Sequence, residues 1–229
     1  DKDVVVASSY KGYPVTDIRY DAFAGSWITS VTLSDSVIRV DYSVFMNCYK
    51  NLKQIHISKS VLEFGHDAFS FLQNLESITV SPENPRYYVA GNCLIDRETK
   101  EVLRGWGDFT IPDDGSVTSI AEGAFSCCNI VNVVLPKGIT KIDSSAFAFC
   151  ASLKRISLPG GLLTIGDGSF DSCTSLESIT LPDSLTKIDS GAFAYCENLS
   201  SIKIGRHIER IEKEVFYSSA VKDIQYAGT

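Results

Sequence analysis

A recurring phenylalanine is what most constrains the fold of this 229-residue chain. It stands at Phe23, Phe45, Phe69, Phe125, Phe147, Phe170, Phe193 and Phe216, with spacings of 22, 24, 56, 22, 23, 23 and 23 residues. Five places before each is an apolar residue: Ile18, Val40, Phe64, Ile120, Ile142, Ile165, Ile188 and Ile211. An apolar trio follows, as in Leu153/Ile156/Leu158 and Leu176/Ile179/Leu181. Self-similarity at a fixed period of this length points to a stacked array. A sandwich would space its strands regularly without repeating the same ring at the same phase.

The copy from Leu176 to Phe193 shows what one unit does. Ile179-Thr180-Leu181 alternates with period two, which predicts a short strand with one buried face. Pro182 ends it, because proline has no N–H to continue a ladder. Leu185-Thr186-Lys187-Ile188 predicts a second extended segment with both apolar ends inward. Asp189-Ser190-Gly191 makes the turn, and Ala192-Phe193 drives a ring into the interior. One such unit cannot bury both its apolar faces, whereas stacked copies can. Strands ~4.8 Å apart would make eight coils a body of roughly 40 Å.

The 56-residue interval exceeds one 23-residue repeat by 33 residues. Ser81-Pro82-Glu83-Asn84-Pro85 is a turn-rich exit. Tyr87-Tyr88-Val89, Cys93-Leu94-Ile95 and the run from Glu101 to Trp106 then predict a β-hairpin or small meander, and Ile111-Pro112 resumes the repeat. The chain thus reads as a single solenoid over 1–229, with N-terminal coils at 1–81, an insertion at 82–110 and C-terminal coils at 111–229. The hairpin either pads the solenoid flank or offers Tyr87, Tyr88 and Trp106 as anchors for a partner. Aromatic residues dominate interface hot spots, but they also hold hairpins together by cross-strand pairing.

Five of the seven cysteines, Cys48, Cys128, Cys150, Cys173 and Cys196, stand three residues after the repeat Phe. Other copies place Ser26, Leu72 or Ser219 there. A position that accepts Leu or Ser requires neither a thiolate nor a disulfide, so the cysteines read as a core ladder of small apolar side chains. Cys127-Cys128 is not a C-x-x-C pair, and His56, His66 and His207 are scattered, so no zinc site is expected. Carboxylates such as Asp143, Asp167 and Asp189 fall in repeat turns, where turn formation accounts for them better than calcium does. No sequence motif of a nucleophile elbow, a metalloprotease or a phosphate loop occurs. No catalytic, cofactor-binding or metal-binding residue is therefore assigned.

The outward strand positions form two columns. One runs Ser30, Gln54, Ser77, Asn132, Arg155, Ser178, Ser201, Asp223; the other runs Thr32, His56, Thr79, Val134, Ser157, Thr180, Lys203, Gln225. Extended solenoid faces of this kind bind partners, and His56, Arg155 and Lys203 are the distinguishing side chains. Phe71, Phe149 and Tyr195 follow the repeat Phe by two residues and form either apolar spots on a rim or packing between coils. A formal net charge of −7 argues against phosphate-backbone binding and against docking on anionic lipid. No apolar run is long enough to span a membrane.

The pattern Leu-x-x-Ile-x-Leu-Pro-x-x-Leu-x-x-Ile-x-x-x-Ala-Phe-x-x-Cys resembles the BspA-like leucine-rich repeats of bacterial surface proteins. The copies around Phe147 to Phe193 are closest to it. Those at Phe23, Phe69 and Phe216 are degenerate. The resemblance implies a β-rich α/β solenoid, a leucine-rich-repeat right-handed superhelix of about eight coils with a β-hairpin insertion. It implies extracellular or surface-attached placement, with no cofactor. The function it implies is non-catalytic interaction or adhesion, with a protein or glycan on a host or neighbouring cell as ligand. The alternative is a structural spacer that displays another domain of a longer cell-surface protein. Since Tyr226-Ala227-Gly228-Thr229 directly follows a strand, the array is expected to continue or to be covered by another chain.

Overall fold

The computed structural model describes residues 2–45, 48 and 50–227. Residues 1, 228 and 229, included above at the ends of the array, lie outside the described residues. The chain winds into a β-solenoid of about ten turns. Each regular turn contributes two short strands, and each strand pairs in parallel with its counterpart one coil away. The first column holds Asp3–Val5, Ser30–Thr32, Gln54–Ile57 and Ser77–Val80. It resumes with Asn132–Val134 and Arg155–Ser157, then with Ser178–Thr180, Ser201–Ile204 and Asp223–Tyr226. The second column holds Asp17–Ile18, Arg39–Val40 and Glu63–Phe64, then Ser119–Ile120, Lys141–Ile142, Thr164–Ile165, Lys187–Ile188 and Arg210–Ile211.

The Phe-bearing turns make a third ladder. Backbone N–H groups of Phe125, Phe147, Phe170 and Phe193 donate to Ala146, Ser169, Ala192 and Val215 of the next coil, each at 2.8 Å. The rings stack along the axis: Phe125–Phe147, Phe147–Phe170 and Phe170–Phe193 centroids lie 5.1, 5.4 and 5.3 Å apart and nearly parallel.

Two expectations change. Among the described residues there is no helix, so the α component of the expected α/β class is absent. The cause lies beside the ruler. The residue two before the repeat Phe is left-handed in every coil, from Asp21 and Ser43 to Gly191 and Glu214. The residue two after it is left-handed as well, as at Gly25, Phe71, Cys127, Phe149, Ser172, Tyr195 and Ser218. Left-handed residues four apart interrupt any right-handed helix. The count of eight also rises to about ten turns, because a Phe ruler misses turns that lack the Phe. Asp3–Val5 pairs with Ser30–Thr32, and Glu101–Gly105 pairs with Ser119–Ile120.

The segment 82–110 does not pad the flank. Tyr87–Ala90, Cys93–Asp96 and Glu101–Gly105 form an antiparallel sheet that joins the second column. All four residues of Cys93–Asp96 are buried. Leu94, Tyr87 and Trp106 belong to the apolar core of the N-terminal coils, whereas Cys93, Ile95 and Val102 belong to that of the C-terminal coils. Opposite faces of one strand therefore serve two cores, as period-two alternation allows.

Candidate interaction face

The strand column builds a surface because its register is in phase. Ser30, Gln54 and Ser77 are partners across the ladder, as are Thr32, His56 and Thr79. After the insertion Asn132 faces Arg155, Val134 faces Ser157, Ser178 faces Ser201 and Thr180 faces Lys203. Between them Val31, Ile55, Ile78, Val133, Ile156, Ile179 and Ile202 point inward and are buried. Within each ladder the outward columns read from the sequence thus form rows of neighbouring side chains.

Arg155 and Lys203 are exposed, and among the described residues neither forms an ion pair. His56 is half-buried, and its Nδ1 lies 2.6 Å from Thr79 Oγ1 in the next coil. Val134, 78% exposed, is an apolar point beside Arg155 and Ser157. The face is discontinuous: no ladder joins Ser77–Val80 to Asn132–Val134, or Arg155–Ser157 to Ser178–Thr180. The loop of residues 107–110 occupies the first gap, with open depressions on either side of it.

The three insertion aromatics divide. Tyr87 and Trp106, 2% and 5% exposed, are core residues and offer no ring to a partner. Burial and the Leu62 carbonyl oxygen, 3.3 Å from the Tyr87 hydroxyl, explain why this phenol is held inside, and burial pushes its pKa well above the usual range. Tyr88 is half-buried under the Arg97 guanidinium, 4.2 Å from the ring centroid, a cation–π contact. His56, Arg155 and Lys203 are therefore not brought together with the insertion aromatics in one site.

Arg104 has no signal in the sequence. It is 1% exposed; Nη2 donates to Leu72 O at 2.8 Å, and Nη1 donates to Ser126 O and Gly123 O at 3.1 and 3.3 Å. One cation therefore ties the last coil before the insertion to the first coil after it. Asn84 does similar work at the entry. Its Nδ2 donates to Ser58 O and Val61 O, and its Oδ1 accepts from the N–H groups of Arg86 and Tyr87.

The cysteines are free thiols, all buried except the half-buried Cys127. Sγ of Cys48, Cys150, Cys173 and Cys196 donates to the carbonyl of a repeat Phe one coil back, at 2.8 to 3.2 Å. Burial pushes Cys93 and Cys196 up to about 12, so they stay neutral and weakly nucleophilic at physiological pH. Asp143 and Asp189 pair with Lys141 and Lys187 at 2.6 and 2.7 Å. Among the described residues no group of three or more His, Cys, Asp or Glu is placed to hold a metal ion, and no helix is long and apolar enough to cross a membrane.

A family described as BspA type leucine-rich repeat region matches residues 11–94 and 107–229, in six copies. The unmatched stretch between them, residues 95–106, falls inside the insertion. No curated protein sequence is significantly similar. Among solved structures, a leucine-rich cell surface protein from Faecalibacterium prausnitzii A2-165 is 22% identical with a TM-score of 0.73, over 100% of this chain and 88% of the other. The pneumococcal vaccine antigen PcpA is 16% identical with a TM-score of 0.59, over 100% and 78%. These likenesses are of fold.

Proposed function

Because this chain belongs to the BspA-type leucine-rich repeat family, we propose that it is a non-catalytic interaction module of a bacterial cell-surface protein, binding a protein or glycan on a host or neighbouring cell. The observation that carries this reading is the in-phase register of the outward columns. It sets Arg155 and Ser157 beside Asn132 and Val134, and Ser178 and Thr180 beside Ser201 and Lys203, on rigid strands of two successive ladders. A fixed strand backbone adds little ordering cost on binding, and a solenoid offers an extended face. His56 supplies a further polar point beyond the insertion.

The test is a broad binding screen of purified protein against extracellular-matrix proteins, mucin and co-resident bacterial cells. At least one ligand should bind saturably. Arg155→Glu and Lys203→Glu should each weaken that binding by about tenfold, as expected for charges at a polar interface, without lowering the melting temperature. Failure to bind any ligand, or binding untouched by both charge reversals, would refute the assignment to this face.

A further inference from the structure

The outer edge of the Phe-bearing turns carries a second pattern. Two residues after the repeat Phe, six successive coils have Phe71, Cys127, Phe149, Ser172, Tyr195 and Ser218, with φ of 62, 58, 60, 57, 54 and 52°. On this edge the Phe71 turn lies directly against the Phe125 turn, since the Phe71 N–H donates to Ser126 Oγ at 2.8 Å. Large and small side chains thus alternate coil by coil. The turn does not need the rings: Gly25, Ser172 and Ser218 close it equally well, and a bulky residue is unfavourable at positive φ. Nor does the core need them, because Phe71, Phe149 and Tyr195 remain 41%, 48% and 45% exposed.

The rim is rigid. N–H groups of Cys127, Phe149, Ser172 and Tyr195 donate to Ala148, Asp171, Ala194 and Tyr217 at 2.8 to 2.9 Å. Phe71 and Phe149 lean together over the small Cys127, with centroids 6.0 Å apart, and Tyr195 meets the exposed Tyr217 edge-on at 5.4 Å. Strained, exposed aromatic residues held on a fixed ladder call for a ligand.

Area and spacing choose its class. Four half-exposed rings offer roughly 350–400 Å² in all, about half of the ~800 Å² that a stable protein interface takes from each partner. The strip is one residue wide, and Phe149 and Tyr195 stand two coils apart, about 10 Å along the stack. Between them Ser172 and the Asp171 carboxylate supply polar groups, joined by a 2.7 Å hydrogen bond. A matching ligand is narrow and extended, turns an apolar face to the rim at every second unit, and carries hydroxyls between. We propose that this rim binds an extended β-1,4-linked oligosaccharide, whose alternate sugars lay their C–H faces on Phe149 and Tyr195. This site is separate from the strand face and does not depend on it.

The experiment titrates the protein with β-1,4-linked tetrasaccharides of glucose, N-acetylglucosamine, xylose and mannose, by calorimetry and ligand-observed NMR. At least one should bind saturably. Phe149→Ser and Tyr195→Ser install the residue that other coils already use. Each should weaken binding by about tenfold or more, the cost of losing one apolar ring contact, while the melting temperature holds or rises. The proposal is overturned if no tetrasaccharide binds, if the rim variants bind as well as the parent, if the rim captures peptides in place of sugars, or if the Ser variants melt markedly earlier.

Discussion

Phe170 has no exposed surface and lies between Phe147 and Phe193 in a nearly parallel stack. Truncating it removes a ring that neighbours on both sides cannot replace, because their positions are fixed by the ladder. Phe170→Ala should therefore cost about 3–5 kcal/mol, read as an earlier urea midpoint, and near-wild-type stability would refute the repeat phase. The thiols give a second residue-scale test. Native protein at pH 8 should expose at most Cys127 to a thiol reagent, and denaturant should release all seven cysteines. Two or three disulfides would sink the core-ladder assignment. Tolerance of Leu72 and Ser26 at the cysteine position already marked it as core in the sequence. The thiol bond to the Phe carbonyl was not legible, because its acceptor lies one coil back and belongs to the backbone. The rim aromatics were legible as a set. Whether they packed or protruded was not, because φ at their positions decides which way the ring leaves the turn.

At the scale of elements, periodicity located both strand columns and the insertion, since a two-residue alternation and a lost Phe are visible without coordinates. It did not reveal what the insertion does. A hairpin read either as flank padding or as a carrier of aromatic anchors holds residues for two cores, because strand Cys93–Asp96 has a protein layer on each side. Such a strand reads as continuously apolar, with no solvent face to mark it. Arg104 escaped for a different reason: its three acceptors are all backbone carbonyls, 19 to 32 residues away, and leave no pattern in side-chain identities. Arg104→Leu leaves Ser126 O without a donor, while Gly123 O keeps the Ser126 N–H and Oγ–H and Leu72 O keeps the Leu75 N–H. An unsatisfied buried carbonyl and a lost bridge between coils, partly offset because the buried charge is gone, should give a net loss of about 1–3 kcal/mol. Arg104→Lys should not restore it, because one ammonium cannot reach both coils. Urea melts of the two variants check this, and a Lys variant as stable as the parent would show that charge alone holds the joint.

Over the whole molecule, cohesion comes from burial between neighbouring coils. The exposed ion pairs that cross coils, such as Arg39–Glu63 and Lys53–Glu76, add little. A repeat array is quasi-one-dimensional, so its cooperativity is only as strong as its weakest junction. Here that junction is the insertion, where the Phe stack breaks between Phe69 and Phe125. Side contacts Phe64–Tyr87 and Phe109–Phe125, at 5.0 and 4.3 Å, replace it. Gly105 sits at the break, and a Cβ there would stand 2.1 Å from Phe125 Cε1. The ring cannot retreat, being packed against Phe147 and Phe109. Gly105→Ala must therefore push the insertion strand off the C-terminal core while leaving both cores internally intact. The expected result is a single unfolding transition resolved into two, with hydrogen exchange accelerated first along Glu101–Gly105 and Ser119–Ile120. Phe170→Ala, which injures one core and spares the junction, should instead lower stability without decoupling the halves. If Gly105→Ala merely shifted one sharp transition, the two cores would be a single cooperative unit and the insertion no junction at all.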